Sequence, residues 1–264
     1  MSAADSQPAA VAPSAFPLVD PARWLLEVVS VASLTPGVTR VRAHLLPANG
    51  TVGPFAYAPG QDLTVSLPAP SGSTVSRRYT VDAYDAASGL VELAVVAHGD
   101  GPGARWLAGA AAGQRVEAVG PRGKITLAAG VSTHLFVGDE ASFAAVRAIA
   151  AAVPAGGRAL VLADVAGSDE HRAIAVGDDV ALDLRWVHRG DAPAESPTRV
   201  LDVLDELDLP MTDTHAYVFG EAHVVAAAAR ALAARRLDAS RISAKPYWRA
   251  GRPNADRGEP DREL

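Results

Sequence analysis

The hydrophobic pattern of this chain changes period once, near Ser132, and that change limits the folds open to it. Before it, "VTRVRAHL" alternates Val41, Ala43 and Leu45 with Arg40, Arg42 and His44. "DLTVSL" likewise alternates Leu63, Val65 and Leu67 with Asp62, Thr64 and Ser66. "VELAVVA" and "QRVEAVG" continue the theme, the second closing on the turn residues Gly120 and Pro121. A period of two sends alternate side chains to opposite faces of a strand. Several such strands between Gly and Pro breaks, from Trp24 to about Leu127, predict an antiparallel Greek-key β-barrel.

After the change, "HLFVGDE" runs into "ASFAAVRAIAAAV", an apolar strand followed by an alanine-rich helix. "RALVLAD", "LDLRWVH", "HAYVFGE" and "RISAKPYW" read as further strands, and "TRVLDVLDEL" and "AHVVAAAARALAARR" as helices. Strands alternating with helices imply parallel pairing through right-handed crossovers, hence a doubly wound parallel-sheet domain. In such sheets ligands bind beyond the carboxyl ends of the strands, where "VGDE" and "FGE" fall. The expected boundaries are a flexible tail over 1–22, the barrel over 23–131, the α/β domain over 132–252 and a polar tail over 253–264. At 264 residues, 49% of them hydrophobic, two cores are within reach.

The net charge of −6 supplies no general basic surface, which argues against nucleic acid as the main partner and confines any anion site to a local patch. With no cysteine, disulfides, thiolate-bound iron–sulfur clusters, Cys-type zinc sites and Cys nucleophiles are excluded from this chain, and no metal site is expected. If electrons move, an organic cofactor carries them. The first 20 residues lack the basic start and apolar run of a secretory signal, and no uninterrupted apolar span would cross a membrane. A cytoplasmic protein without membrane insertion, monomeric, is the expectation.

A barrel followed by a doubly wound domain, with an Arg-x-Tyr-Thr type strand in "SRRYTV", resembles the ferredoxin–NADP reductase superfamily. "VVAHGDGPGARWLAGAAAGQRVEAVGPRG" resembles more narrowly the flavin-binding segment of the siderophore-interacting proteins, the ferric-siderophore reductases, and "YWRAGR" resembles their closing segment. That resemblance extends from about Trp24 to Arg252. It implies an FAD-binding barrel, NADPH or NADH as electron donor and a ferric siderophore as substrate, with no protein residue acting as acid or base. Other readings are a flavin reductase passing electrons to a protein or quinone, and a non-catalytic binding protein that has lost the flavin.

Within that reading, Arg78 offers a planar fork of donors to a phosphate, Tyr79 a ring to the flavin face and Thr80 a hydrogen bond to the isoalloxazine edge. Strand alternation puts Arg78 and Thr80 on one face and Tyr79 on the other. His98 precedes a glycine-rich turn in which Gly99, Gly101, Pro102, Gly103 and Ala104 lead into a helix, whose free N–H groups suit a pyrophosphate. In the second domain, Gly138 and Gly220 are expected to leave room for a nicotinamide dinucleotide, beside Asp139, Glu140 and Glu221. Arg172 is a candidate for the adenosine end, with a solvated side chain the plainer alternative. Lys245, Trp248, Arg249 and Arg252 form a basic, aromatic patch for an anionic ferric chelate. The chain departs from the family at Asp82, where a phosphate-binding arginine is common, at Gly103 and Ala104, which remove a hydroxyl, in "GDEASFAA", and at Phe219 and Pro246.

Overall fold

The computed structural model describes residues 22–48, 54–69, 72–96 and 101–251. His98, Gly99 and Arg252 lie outside these described residues. Six strands, β1 (Arg23–Thr35), β2 (Val38–Pro47), β3 (Asp62–Pro68), β4 (Thr74–Asp85), β5 (Leu90–Val96) and β6 (Arg115–Arg122), close a barrel in the order β1-β2-β5-β4-β3-β6. All its pairings are antiparallel. The barrel is filled by the apolar series that the alternation marks: Val41, Ala43 and Leu45; Leu63, Val65 and Leu67; Val91, Leu93 and Val95. A short helix, α1 (Pro102–Gly109), packs against this core through Trp106.

The second domain is a five-stranded parallel sheet in the order β11-β10-β7-β8-β9, made of β7 (Thr133–Asp139), β8 (Arg158–Val165), β9 (Ala181–His188), β10 (Thr214–Glu221) and β11 (Ile242–Trp248). β7 is buried along its whole length, as expected where both faces of a sheet are covered. Its alternate residues serve two cores. Leu135 and Val137 pack with α3 (Thr198–Asp205) and α4 (Ala222–Ala234), while Phe136 packs with α2 (Phe143–Ala150) on the other face. The doubly wound arrangement expected from the sequence is what forms. The switch from antiparallel to parallel pairing falls between Arg122 and Thr133.

Among the described residues, two ion pairs and a buried glutamate help to join the domains. Asp82 of β4 pairs with Arg147 of α2 at 2.7 Å, its carboxylate almost fully buried. Asp62 of β3 pairs with Lys245 of β11 at 3.2 Å. Glu170, buried in a single 3₁₀ turn (Ser168–Glu170), accepts from the Gly37 N–H at 2.7 Å and from the Thr35 hydroxyl, holding the β1–β2 hairpin.

Candidate functional site

β4 presents its two faces to different surroundings. In the β3–β4 register Tyr79 lies opposite Leu63 and Arg77 opposite Val65, and directly opposed residues share a face. Arg77 and Tyr79 therefore share the face toward α1. The Tyr79 ring sits 6.3 Å from that of Trp106, tilted by 34°. Gly103 comes so close that a Cβ there would lie 2.8 Å from the Tyr79 hydroxyl. Burial pushes the Tyr79 phenol up to about 12, and the nearby Arg77 charge works against that rise.

α1 begins with Gly101 as N-cap and Pro102 in its first turn, with no side chain among the described residues capping it, a start whose first amides have no acceptor within the helix. Among the described residues nothing lies within 4 Å of a Cβ built on Gly101. Trp106 is buried to 3% exposure, yet its indole N–H has no partner among the described residues. The Tyr79 ring, the start of α1 and the Trp106 indole N–H, with Arg77 on the same face of β4, are groups of the kinds a flat, anionic dinucleotide needs: the ring suits a flavin face, and a helix start with a guanidinium suits a diphosphate.

The other face of β4 is committed to the domain contact. Arg78 grips Asp62 with both ends of its fork, Nε at 2.9 Å and Nη2 at 2.7 Å. Arg78, expected on a phosphate, has its Nε and Nη2 on a buried carboxylate across the hairpin, and Arg77 stands on the tyrosine's side. The signal was present in the sequence, because Arg77 and Tyr79 are two apart and Arg78 and Tyr79 are not. Thr80 is buried under β11, its hydroxyl 3.4 Å from that of Tyr247, whose phenol burial pushes up to about 12.

The strand ends of the second domain also differ from expectation. A Cβ on Gly138 would meet Ser142 Oγ and Val146 Cγ2 at 2.8 Å, and one on Gly220 would meet Asp139 Oδ2 at 2.7 Å. These glycines make room for the chain's own packing. Asp139 is buried, accepting from the Ala141 and Ser142 amides, from Ser142 Oγ and from the Trp248 indole at 2.7 Å. Burial raises its carboxyl above the usual range, while the Trp248 and Ser142 donors pull it down. Glu221 caps α4 through the His223 and Val224 amides and accepts from Ala250 N–H. Glu140 pairs with Arg189 at 2.7 Å. These groups are bonded within the domain, and Gly138, Asp139 and Glu221 line a small cavity at the strand ends together with Asp164 and Phe219.

The expected basic patch is divided. Lys245 is drawn to Asp62, Trp248 is bonded to Asp139, and Arg249 is exposed. Arg172 is not solvated: it is half-buried, with its guanidinium 4.4 Å above the Phe143 ring and one nitrogen donating to the Glu140 carbonyl. Asp62, Arg147 and Glu170 carry the domain contact and had no local sequence signal, since Glu170 lies 133 positions from Gly37.

An antiparallel barrel followed by a doubly wound parallel sheet is a two-domain fold found in solved reductase structures. The fold is shared with the ferredoxin reductase in carbazole 1,9a-dioxygenase, at a TM-score of 0.70 and 20% identity over 88% of this chain and 71% of that one. The chain belongs to the siderophore-interacting protein family: the family's own model matches residues 131–251, and that of the siderophore-interacting FAD-binding domain matches residues 45–125. A siderophore utilization protein from T. fusca superposes with a TM-score of 0.76 at 25% identity, covering 89% of this chain and 95% of that one. Ferric vibriobactin reductase of Vibrio cholerae is 27% identical over 187 residues, 69% of this chain and 68% of its own. An uncharacterized protein of Mycobacterium tuberculosis is 32% identical over 190 residues, 67% of this chain, and the match spans 65% of that relative's length. Among the described residues no helix is long and apolar enough to cross a membrane.

Proposed function

We propose that this protein is an FAD-dependent reductase of ferric siderophores, drawing electrons from NADPH or NADH and releasing iron as Fe(II). The observation that carries the reading is the Arg77–Tyr79 face closed by the uncapped start of α1, in a chain of the siderophore-interacting family. Tyr79 would lie along the flavin ring, held by Trp106 behind it and by its close approach to Gly103. Arg77, Gly101, Pro102, Gly103 and Ala104 would hold the diphosphate. Bound FAD supplies acceptance of two electrons from a nicotinamide and their delivery singly to a ferric centre.

Tyr79 and Tyr247 stay protonated across the physiological range, because burial holds both phenols near 12, and so they add no charge beside the ring. Hard oxygen ligands hold Fe(III) far better than Fe(II), so reduction loosens the metal with no ligand bond cut. No side chain is required as acid or base. The nicotinamide is assigned by class and not by contact, since Asp139 and Glu221 are occupied within the domain. Arg249 is an exposed cation of the proposed substrate patch.

The test is the visible spectrum of the purified protein with added FAD. Retained bands near about 450 nm, bleached by NADPH or NADH and restored by a ferric chelate, are expected. A protein that stays colourless in excess FAD overturns the proposal and leaves the reading of a binding protein without flavin.

A further inference from the structure

The ends of β7 and β8 bring two carboxylates to one face of the sheet. Asp139 and Asp164 stand directly opposite each other in the parallel β7–β8 register. Leu135 and Val137 of β7 and Leu160 and Leu162 of β8 all enter the core under α3 and α4, and strand alternation carries Asp139 and Asp164 onto that same face. They are 5% and 3% exposed. Both line a cavity of about 10 Å³ bounded also by Val137, Phe219, Glu221 and Val224, which is room for about one water molecule. Their partners differ. Four donors converge on Asp139: the Ala141 and Ser142 amides, Ser142 Oγ and the Trp248 indole. Asp164 has the Arg189 guanidinium 3.2 Å from its Oδ1, but that oxygen makes no hydrogen bond among the described residues, and Arg189 also serves Glu140 at 2.7 Å.

We propose that Asp139 and Asp164 form one acid–base pair that holds a single proton, carried on Asp164 and linked to Asp139 through a water molecule in the cavity. Two like charges on neighbouring buried carboxylates oppose each other, so the second ionisation is displaced from the first. The charge stays on Asp139, where the donors converge, and the proton goes to Asp164. Burial raises both carboxyls, that of Asp164 to about 7, with Arg189 opposing the rise and the Asp139 charge adding to it. The other groups facing the pair are Glu140 beside Asp139, Glu221 across the cavity with the His223 imidazole 3.3 Å from it, and the Tyr247 phenol of β11. The two further carboxylates favour keeping the proton. The pair lies at the strand ends where ligands bind in such sheets. A positive charge arriving there favours the doubly charged pair and a negative one the shared proton, so ligand charge and proton uptake are linked at this point. The pair does not depend on flavin.

The experiment is carboxyl-carbon NMR of the full chain, isotopically labelled at its aspartates and titrated between about pH 4 and about pH 9, in the wild type, Asp164→Asn and Asp139→Asn. One aspartate still protonated at about pH 6, whose signal is missing from Asp164→Asn, is expected. Asp139→Asn keeps an oxygen acceptor but removes the charge, and should lower the Asp164 midpoint by about one pH unit or more. A long-lived water should give cross-peaks to the Val137 and Val224 methyls. Thermal melts confirm that each variant is folded, and the infrared C=O band of the protonated acid reads the wild type without any substitution. No aspartate protonated at about pH 6, or an Asp164 midpoint unmoved in folded Asp139→Asn, overturns the pair, and absent cross-peaks overturn the water link.

Discussion

Exchanging the two neighbouring arginines of β4 one at a time separates the diphosphate contact from the domain contact. Arg78→Ala removes both donors from Asp62, whose carboxylate is 3% exposed, and leaves it only Lys245 at 3.2 Å. Stripping a buried ion pair of one partner costs about 3–5 kcal/mol, and the remaining lysine lowers that to roughly 2–3 kcal/mol. For a chain of this size the thermal midpoint of the flavin-free protein should fall by roughly 4–12 °C. FAD affinity of the protein that remains folded should change less than about threefold, because Arg78 faces away from Tyr79. Arg77→Ala should do the reverse. Its side chain is half-exposed and lies on the tyrosine's face, so stability should move by less than about 0.5 kcal/mol. The lost charge-assisted hydrogen bond to phosphate should weaken FAD about 10- to 150-fold, which is roughly 1.5–3 kcal/mol. Fluorescence titration of FAD and thermal melts on the same preparations read both quantities. If Arg78→Ala loses FAD tenfold or more while keeping its midpoint, the assignment of the two faces is refuted.

Three more perturbations probe the frame around the site. Gly220→Ala forces a side chain into φ +123° with its Cβ 2.7 Å from Asp139, and should cost roughly 2–4 kcal/mol in urea unfolding; a melt like the wild type's would show that the β7–β10 junction yields easily. Glu170→Gln should weaken the hold on the β1–β2 hairpin by roughly 1–3 kcal/mol, seen as faster hydrogen exchange at the Gly37 amide with the barrel core unchanged. Burial and the Asp139 charge push the Asp164 carboxyl up to about 7, against the pull of Arg189. Because its folded pKa lies above the unfolded 3.8, its contribution is fully present below that value and is lost as pH rises through about 7. Asp164→Asn, which stays neutral, should flatten the loss of stability between about pH 4 and about pH 7, and an unchanged slope would place the titrating group elsewhere.

The barrel core could be read from the sequence almost residue by residue, because Val41, Ala43, Leu45, Leu63, Val65 and Leu67 obey a local alternation that the closed barrel preserves. The α/β grammar was equally plain. Arg77 was legible in principle, since it is two residues from Tyr79, and reading adjacency in place of alternation puts the phosphate contact on Arg78. Asp139, Gly138, Gly220 and Glu221 sit at the strand ends where ligands bind in such sheets, but what fills the space beside them cannot be read from the strand itself. Ser142, Val146 and Trp248 supply it, and Trp248 lies 109 positions away from Asp139.

By itself the sequence determined the two periodicities, the order of the two domains, the absence of thiol chemistry and the Arg-x-Tyr strand, because each depends on residues close together in the chain. Only the tertiary structure decided which charges are available and which are satisfied internally. Arg78 and Lys245 meet at Asp62, Arg147 meets Asp82, Glu170 meets the hairpin, and two histidines 17 residues apart bring their nitrogens to 2.7 Å. A side chain's type gives its capacity to bind, and the partner that the fold brings within about 3 Å decides whether that capacity remains free for a ligand.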